Sequence, residues 1–242
     1  MTIMIDRAEI DCVRRKLMMR DDDDAIHDEQ GFGHPDKSLD FTIRPISAEW
    51  RLKGRRPAYR TARANVQYIW RRSDGEDRFG PMPLWFGERT YDLRAAGLML
   101  PNSAPAWAWQ DYEVWSRVDA ATAATGDPTA VSAWHILAEL PSYVDEPQWE
   151  RLVRSYIDRN LIRRGAAVAY AIHAMAGSDE PWIVAPHIHL VVAARRFRSG
   201  RDHGARVPTW AGSWRAHWRL EAEWRSLFGQ VRLWKNGASS SA

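Results

Sequence analysis

AYAIHAMAGSDEPWIVAPHIHLVVAARR, residues 169–196, is the stretch that decides the expected fold of this chain. Its second half contains Pro186, His187, Ile188 and His189, followed by a run of branched apolar residues that is typical of a β-strand. Side chains alternate between the two faces of a strand. The two histidines are therefore predicted to point to the same face of a sheet.

A third histidine, His173, ends another alternating apolar run. Ala169 and Ala171 share its face of that strand, and their small side chains leave room beside the imidazole. Three neutral imidazoles on adjacent strands can bind one divalent ion and leave other coordination positions open, as a catalytic metal requires. The sequence therefore predicts a metal site formed by His173, His187 and His189.

Three motifs resemble those of the MobA/MobL relaxases, which nick one strand of mobilisable plasmids and belong to the HUH endonuclease class. Residues 171–174 read AIHA, residues 186–190 read PHIHL, and residues 61–69 read TARANVQYI, which is similar to the family's nucleophile motif. The likeness follows the family's order from about residue 39 to residue 197. One departure is Ala185, where relatives usually have Asn, and this change removes no ligand.

The resemblance implies an α+β fold with a central, about five-stranded antiparallel HUH-type sheet flanked by helices. The order of predicted elements agrees with such a fold. Strands are expected near residues 41–45, 130–140, 166–173 and 187–194, and helices over 62–72, 110–124, 146–162 and 213–228. Residues 74–105 are interrupted by Pro and Gly and are predicted to be loop with short ordered pieces.

Charge and composition divide the chain into three parts. Residues 1–38 are predicted to be an acidic, flexible leader, residues 39–230 a relaxase-like nuclease domain, and residues 231–242 a disordered tail. Residues 1–40 hold 6 Lys and Arg against 11 Asp and Glu, whereas the remainder holds 28 against 20. The basic body favours a polyanionic partner, because neutralising phosphates releases counterions.

The resemblance also implies a reaction. A relaxase cleaves and rejoins single-stranded DNA at a plasmid or mobile-element transfer origin during conjugative mobilisation, through a 5′-phosphotyrosine intermediate and a free 3′-hydroxyl. Tyr68, in the TARANVQYI motif, is the expected nucleophile, and Tyr59 is the alternative because some relatives present their tyrosine in an AYR context. Mn²⁺ or Mg²⁺ would polarise the scissile phosphate, and imidazole ligands favour the transition metal.

Other residues are expected to assist this chemistry. Arg195 would steady the phosphate, and the expected DNA contacts are Arg63, Arg71, Arg72 and Arg196. Relatives tend to carry a glutamate near the metal, a few residues before a Leu-Pro pair. His135 and Glu139 lie four apart on a predicted strand and so share a face, and either one is a candidate for that role.

Composition excludes several other classes of protein. The single Cys12 rules out a disulfide framework and a metal site built from cysteines. The first residues lack the apolar core of a signal peptide, and no apolar run approaches membrane-spanning length, which predicts a cytoplasmic protein without membrane insertion. Besides single-stranded DNA, the expected partners are accessory mobilisation proteins and a host helicase.

Three alternatives to a relaxase remain open from the sequence. The chain would be a rolling-circle replication initiator or transposase of the HUH class if it cuts its own hairpin origin. It would be a non-cutting, metal-bearing DNA-binding module if neither tyrosine attacks DNA. A zinc hydrolase with three histidine ligands, unrelated to DNA, is the weakest alternative.

Overall fold

The structure of the chain is a computed structural model that describes residues 39–48, 60–72, 91–141, 143–178, 182–196, 205–207 and 211–239. Its strands are β1 (Phe41–Ile46), β2 (Leu93–Met99), β3 (Ala133–Glu139), β4 (Ala166–Met175), β5 (Val184–Arg196) and β6 (Ala205–Arg206). Its α-helices are α1 (Ala62–Ile69), α2 (Glu113–Ala123), α3 (Glu146–Asn160) and α4 (Trp214–Ser239). Two short 3-10 turns cover Ala106–Trp109 and Ile162–Arg164.

The strands form one antiparallel sheet in the order β1-β3-β5-β4-β2, and β6 pairs with the end of β5. The central strand β5 pairs with β3 on one side and β4 on the other. Helices cover both faces, so residues 188–194 of β5 are all buried, and all of them except His189 are apolar. The predicted α+β fold with an antiparallel sheet is confirmed, with the two-residue β6 as an addition to the five principal strands.

Helices α3 and α4 cover the first face of the sheet. Tyr156 of α3 and Trp224 of α4 meet with ring centroids 5.0 Å apart, in a cluster that includes Phe228 and Leu190. The Tyr156 hydroxyl donates a hydrogen bond of 2.8 Å to the carbonyl oxygen of Leu220, which satisfies this buried polar atom. Apolar burial on this face therefore joins both long helices to the sheet.

Helices α1 and α2 cover the second face. Val66 and Ile69 of α1 and Trp115 and Val118 of α2 are fully buried there. The residues of β4 beneath them are small, namely Ala167, Ala169 and Ala171. Because alanine side chains are short, α1 can lie close to the sheet, and this is the face that carries the three histidines.

One strand lies in the stretch that the sequence predicted to be loop with short ordered pieces. β2 has the sequence LRAAGLM, with no β-branched residue and with a glycine in its interior, so it lacks the usual local signs of a strand. It forms the edge of the sheet by pairing with β4. The strand depends on this long-range pairing rather than on its own sequence. It is a short ordered piece of the kind expected within residues 74–105, although the sequence did not identify it as a strand.

The last helix of the chain is longer than the sequence predicted. Helix α4 continues to Ser239, so the predicted end of this helix at Phe228 is wrong. The division of the chain into leader, nuclease domain and tail stays a prediction. Gly229 does not end the helix, and good helix formers follow it. The predicted leader, residues 1–38, lies outside the described residues. None of the described helices is long and apolar enough to span a bilayer.

The glycine of β2 provides a test of this edge pairing. Gly97 lies opposite Tyr170 of β4, and a β-carbon added at Gly97 would come within 2.8 Å of the tyrosine ring. We expect Gly97→Ala to lower the free energy of unfolding by about 1–3 kcal/mol through overpacking, measured by urea denaturation. In a Tyr170→Leu background the same substitution should lower the free energy of unfolding much less. An equal loss in both backgrounds would contradict this explanation.

Candidate metal centre

Three histidines from β4 and β5 converge on the second face of the sheet, as the sequence predicted. His173 is directly opposite His187 in the pairing of the two strands, and Ala171 is opposite His189. The ring centroids of the three histidines are 4.9 to 5.5 Å apart. One ligand nitrogen from each lies within 4.8 Å of the others. These three residues are called the histidine cluster below.

Hydrogen bonds occupy the Nδ1 atoms of two of these histidines. His187 donates from Nδ1 to the carbonyl oxygen of Ala185 at 2.7 Å, which leaves the lone pair on Nε2. His189 Nδ1 is 2.8 Å from Nε2 of His135 on β3. Within the described residues no hydrogen bond engages Nε2 of His187 or His189. His187 has its lone pair on Nε2, and a neutral His189 does too when its Nδ1 donates to His135.

The first histidine of the cluster is held at both ring nitrogens. His173 Nε2 lies 2.8 Å from the carbonyl oxygen of Ile69, at the end of α1. A carbonyl only accepts, so Nε2 carries the proton and Nδ1 carries the lone pair of the neutral ring. His173 Nδ1 lies 3.1 Å from Nη2 of Arg71, which donates to it. The lone pair that His173 would offer to a metal therefore already accepts a hydrogen bond.

Burial keeps the cluster uncharged. Desolvation, with a smaller contribution from the positive charge of Arg71, lowers the pKa of His173 to about 3. Desolvation likewise lowers the pKa of His187, and it lowers the pKa of His189 well below the usual histidine value. Neutral imidazole is the form that binds metal ions, so the environment favours the ligand state.

The residues of the cluster fit a divalent metal ion. They supply three neutral nitrogen ligands, and three protein ligands are the usual number where further positions stay open to water or substrate. Two ligands of one ion at 2.0–2.1 Å lie at most about 4.2 Å apart, so small side-chain rotations complete the set. Imidazole nitrogens suit transition metals better than Mg²⁺.

Tyr68 lies beside the cluster. Its ring centroid is 6.0 Å from that of His189, in an edge-to-face arrangement, and the residue is 8% exposed. Thr61 caps the N-terminus of α1 by accepting a hydrogen bond from Ala64 N–H. Asp119 of α2 accepts from the N–H groups of the first two residues of α1, at 2.8 and 3.0 Å. These contacts fix the helix that presents Tyr68; the alternative, Tyr59, lies outside the described residues.

Arg71 is part of this site, although the sequence suggested a DNA-backbone contact. It is only 8% exposed and forms a two-pronged ion pair with Asp92, with N to O distances of 3.1 and 2.6 Å. Burial alone would lower the pKa of Arg71, but its hydrogen bonds and its attraction to Asp92 and Tyr68 outweigh this effect and raise the pKa. Burial would raise the pKa of Asp92, but Arg71 lowers it. The pair is therefore ionised.

Asp92 was not found by the sequence analysis. It immediately precedes β2, in a region predicted to be loop, and it has no chemically suggestive neighbour. It reaches the site because β2 pairs with β4, where Leu93 lies opposite His173. Only the long-range pairing of these strands brings the carboxylate to the histidine.

The other predicted arginines do not reach the cluster. Arg195 is six residues after His189, roughly 20 Å along β5, and it donates to the carbonyl oxygen of Ala121 on α2. The structure therefore gives no support for its predicted role at the phosphate. Arg195 lies on the same face of β5 as His189, but at the other end of the strand. Arg196 lies at the same distant end and contacts Gly165 beside a cavity of about 700 Å³.

Arg63 and Arg72 are exposed near the two ends of α1. The Arg63 guanidinium lies over the Tyr112 ring at 5.6 Å, and that of Arg72 over the Trp70 ring at 5.7 Å. Both cations are thus held on the surface that also carries the Tyr68 helix. This placement is compatible with the DNA contacts predicted for them.

The two candidates for the glutamate role differ in their contacts. His135 contacts His189 directly, through the 2.8 Å bond between their ring nitrogens. Glu139 lies opposite His187 in the strand pairing, and its carboxylate accepts a long hydrogen bond of 3.3 Å from the N–H of Asp40. Of the two candidates, His135 is thus the one that contacts the cluster, and Glu139 is paired with His187 in the sheet.

The fold and the site define a class of protein: an antiparallel α+β domain with a cluster of three histidines on one face of the sheet. The sequence profile of the MobA/MobL family matches residues 85–234, which is more than half of the chain. The chain therefore belongs to the MobA/MobL family, as its motifs suggested. At the level of the family it is a mobilisation relaxase.

A solved structure concerned with the molecular basis of vancomycin resistance transfer in Staphylococcus aureus has a similar fold. The TM-score is 0.59 at 18% sequence identity, and the match covers 82% of this chain and 94% of that chain. At this identity the likeness shows a shared fold alone. No match is found among curated protein sequences.

The bond between His135 and His189 yields a test of the metal centre. We expect His135→Ala to weaken Mn²⁺ binding by roughly 10–100-fold, because a ligand that loses its orienting partner is less basic and less fixed. Isothermal titration calorimetry with Mn²⁺ measures this effect. His217→Gln is the control, since His217 bonds to Ala211 O on the other face, and equal losses in both variants would refute the assignment.

Proposed function

We propose that this chain cleaves and rejoins single-stranded DNA at the transfer origin of a plasmid or mobile element. The observation that carries the proposal is the position of Tyr68, whose ring lies 6.0 Å from His189 of a cluster suited to a metal ion. Membership of the MobA/MobL family supports it, and so does the association of the similar Staphylococcus aureus structure with resistance transfer.

In the proposed reaction the Tyr68 oxygen attacks the phosphorus of the scissile phosphodiester. The bond from tyrosine oxygen to phosphorus forms while the bond from phosphorus to the 3′ oxygen breaks, and the tyrosine proton ends on the 3′ oxygen. The products are a 5′-phosphotyrosine and a free 3′-hydroxyl. The covalent bond conserves the energy of the phosphodiester, so the reverse attack by a 3′-hydroxyl rejoins the strand.

Divalent metal held by His173, His187 and His189 would supply Lewis-acid polarisation of the phosphate. Mn²⁺ is expected to bind more tightly than Mg²⁺, because all three ligands are imidazoles. Burial of the site strengthens every charge interaction at the reacting phosphate, since less water screens it. The ionised Arg71 adds fixed positive charge beside Tyr68, with its guanidinium carbon 5.2 Å from the ring centroid.

The DNA strand is proposed to cross the surface near α1. Arg63 and Arg72 are exposed there, and each cation is held against an aromatic ring. Contacts of this kind neutralise phosphates without reading base sequence. Binding should therefore weaken steeply as salt concentration rises. Accessory mobilisation proteins and a helicase remain the expected partners.

The nucleophile is tested with labelled single-stranded DNA from the intergenic region beside the gene, incubated with Mn²⁺ and examined on a denaturing gel. We expect a covalent adduct that Tyr68→Phe abolishes, because phenylalanine has no attacking oxygen. Tyr59→Phe is the matched control and should keep the adduct. Loss of the adduct in Tyr59→Phe alone would reassign the nucleophile, whereas DNA binding without an adduct in the unmodified chain would indicate a non-cutting module.

The metal dependence of this reaction is tested separately. We expect His189→Ala, or removal of metal with a chelator, to reduce the rate of adduct formation at least about 100-fold, on the order of the loss of one electrostatic stabiliser. DNA binding should change little, since it depends mainly on phosphate contacts. A chelator that leaves the rate unchanged would contradict metal-assisted chemistry.

A further inference from the structure

Arg71 adopts a backbone conformation that directs its side chain into the protein. It follows the last turn of α1, and its φ angle is 54°, in the left-handed region that residues with a β-carbon seldom adopt. Its backbone N–H and its Nη1 both donate to the carbonyl oxygen of Tyr68, at 3.1 and 3.3 Å. A strained backbone that is held by several bonds at a site is often part of how that site works.

The guanidinium meets the histidine cluster at one atom. Arg71 Nη2 donates both to Asp92 at 2.6 Å and to His173 Nδ1 at 3.1 Å. Because the proton of His173 is on Nε2, facing Ile69 O, Nδ1 is the only nitrogen of the neutral ring with a free electron pair. One lone pair can bind a metal ion or accept a hydrogen bond from Arg71, but it cannot do both.

We propose that Arg71 and a divalent cation compete for Nδ1 of His173, so that Arg71 sets the metal affinity of the cluster. This inference rests on the metal site of the proposed function and deepens it. The guanidinium acts as an internal cation that a metal must displace from the ring. A weakened and exchangeable metal site is the consequence.

Asp92 is expected to affect the competition between Arg71 and the metal ion with the opposite sign. Its carboxylate holds the guanidinium with two bonds and compensates its charge in a buried position. Without Asp92, an uncompensated positive charge would face the incoming cation. Without Arg71, a buried carboxylate would lie near the cluster and would attract the cation. Removing the two partners should therefore change metal affinity in opposite directions.

A purely structural ion pair predicts a different pattern. Breaking a buried pair by removing either partner leaves the other charge unpaired and destabilises the protein. If the pair served stability alone, both single variants would loosen the site and lower metal affinity together. The sign of the change in affinity thus separates the two roles, whatever the change in stability.

The experiment is a calorimetric titration of the full chain with Mn²⁺ alone. We expect Arg71→Gln to bind Mn²⁺ about tenfold more tightly, Asp92→Asn to bind it about tenfold more weakly, and the double variant to fall between them. Arg163→Gln is the matched control, because it removes an arginine from the exposed ion pair with Asp158, and its affinity should equal that of the unmodified chain. Unchanged or weaker binding by Arg71→Gln overturns the proposal.

A second measurement needs no variant and covers the case in which Arg71→Gln does not fold. Nitrogen NMR of the histidine-labelled chain, titrated with Zn²⁺ as a diamagnetic probe, should shift Nδ1 of His173 and Nε2 of His187 and His189. A shift at His187 and His189 without one at Nδ1 of His173 overturns the competition.

The outcome for the proposed function can be distinguished from the outcome for Arg71. If Arg71→Gln and Asp92→Asn change the Mn²⁺ affinity in opposite directions and no DNA adduct forms, the competition stands and the nicking reaction fails. If the adduct forms in the unmodified chain but Arg71→Gln does not tighten Mn²⁺ binding, the nicking reaction stands and the competition fails. If the unmodified chain binds no Mn²⁺, Arg71→Gln must create binding, and its failure to do so rejects the competition.

Discussion

The pairing of β4 with β5 is the constraint on which the site depends. Because opposite residues of antiparallel strands share a face, the pairing of His173 with His187 places both rings on the side of α1. A slip of one residue would turn every side chain of the strand to the other face. Buried aliphatic side chains on the opposite face, such as Ile172 and Ile188, oppose such a slip, so the core fixes the position of the histidines.

The second face of the sheet combines small residues with polar ones. Alanines of β4 allow α1 to lie close enough for Ile69 O to reach His173 and for the Tyr68 ring to reach His189. Larger residues at these positions would separate the helix from the sheet and lengthen both contacts. The small residues of this strand thus determine the distance between Tyr68 and the cluster as well as the packing of α1.

Much of this arrangement follows from sequence periodicity. The alternation in β4 and β5 predicts that the histidines share a face, and the helical pattern around Tyr68 predicts α1. Arg195 shows the limit of such arguments, because periodicity gives the face of a residue but not its distance along the strand. Asp92 shows another limit, since it reaches the site only through the pairing of β2, a strand without local signals.

Arg71 illustrates a third limit, since the helical pattern predicts that the helix of Tyr68 continues through this residue and that its side chain contacts DNA, whereas α1 ends at Ile69. The positive φ of Arg71 instead turns the chain and buries the guanidinium against Asp92. Buried ion pairs rarely stabilise a fold more than apolar residues of similar volume would, because desolvation offsets their attraction. Arg71 combines a strained backbone with a costly ion pair, and its guanidinium contacts His173. This combination is better explained by control of charge at the cluster than by stability.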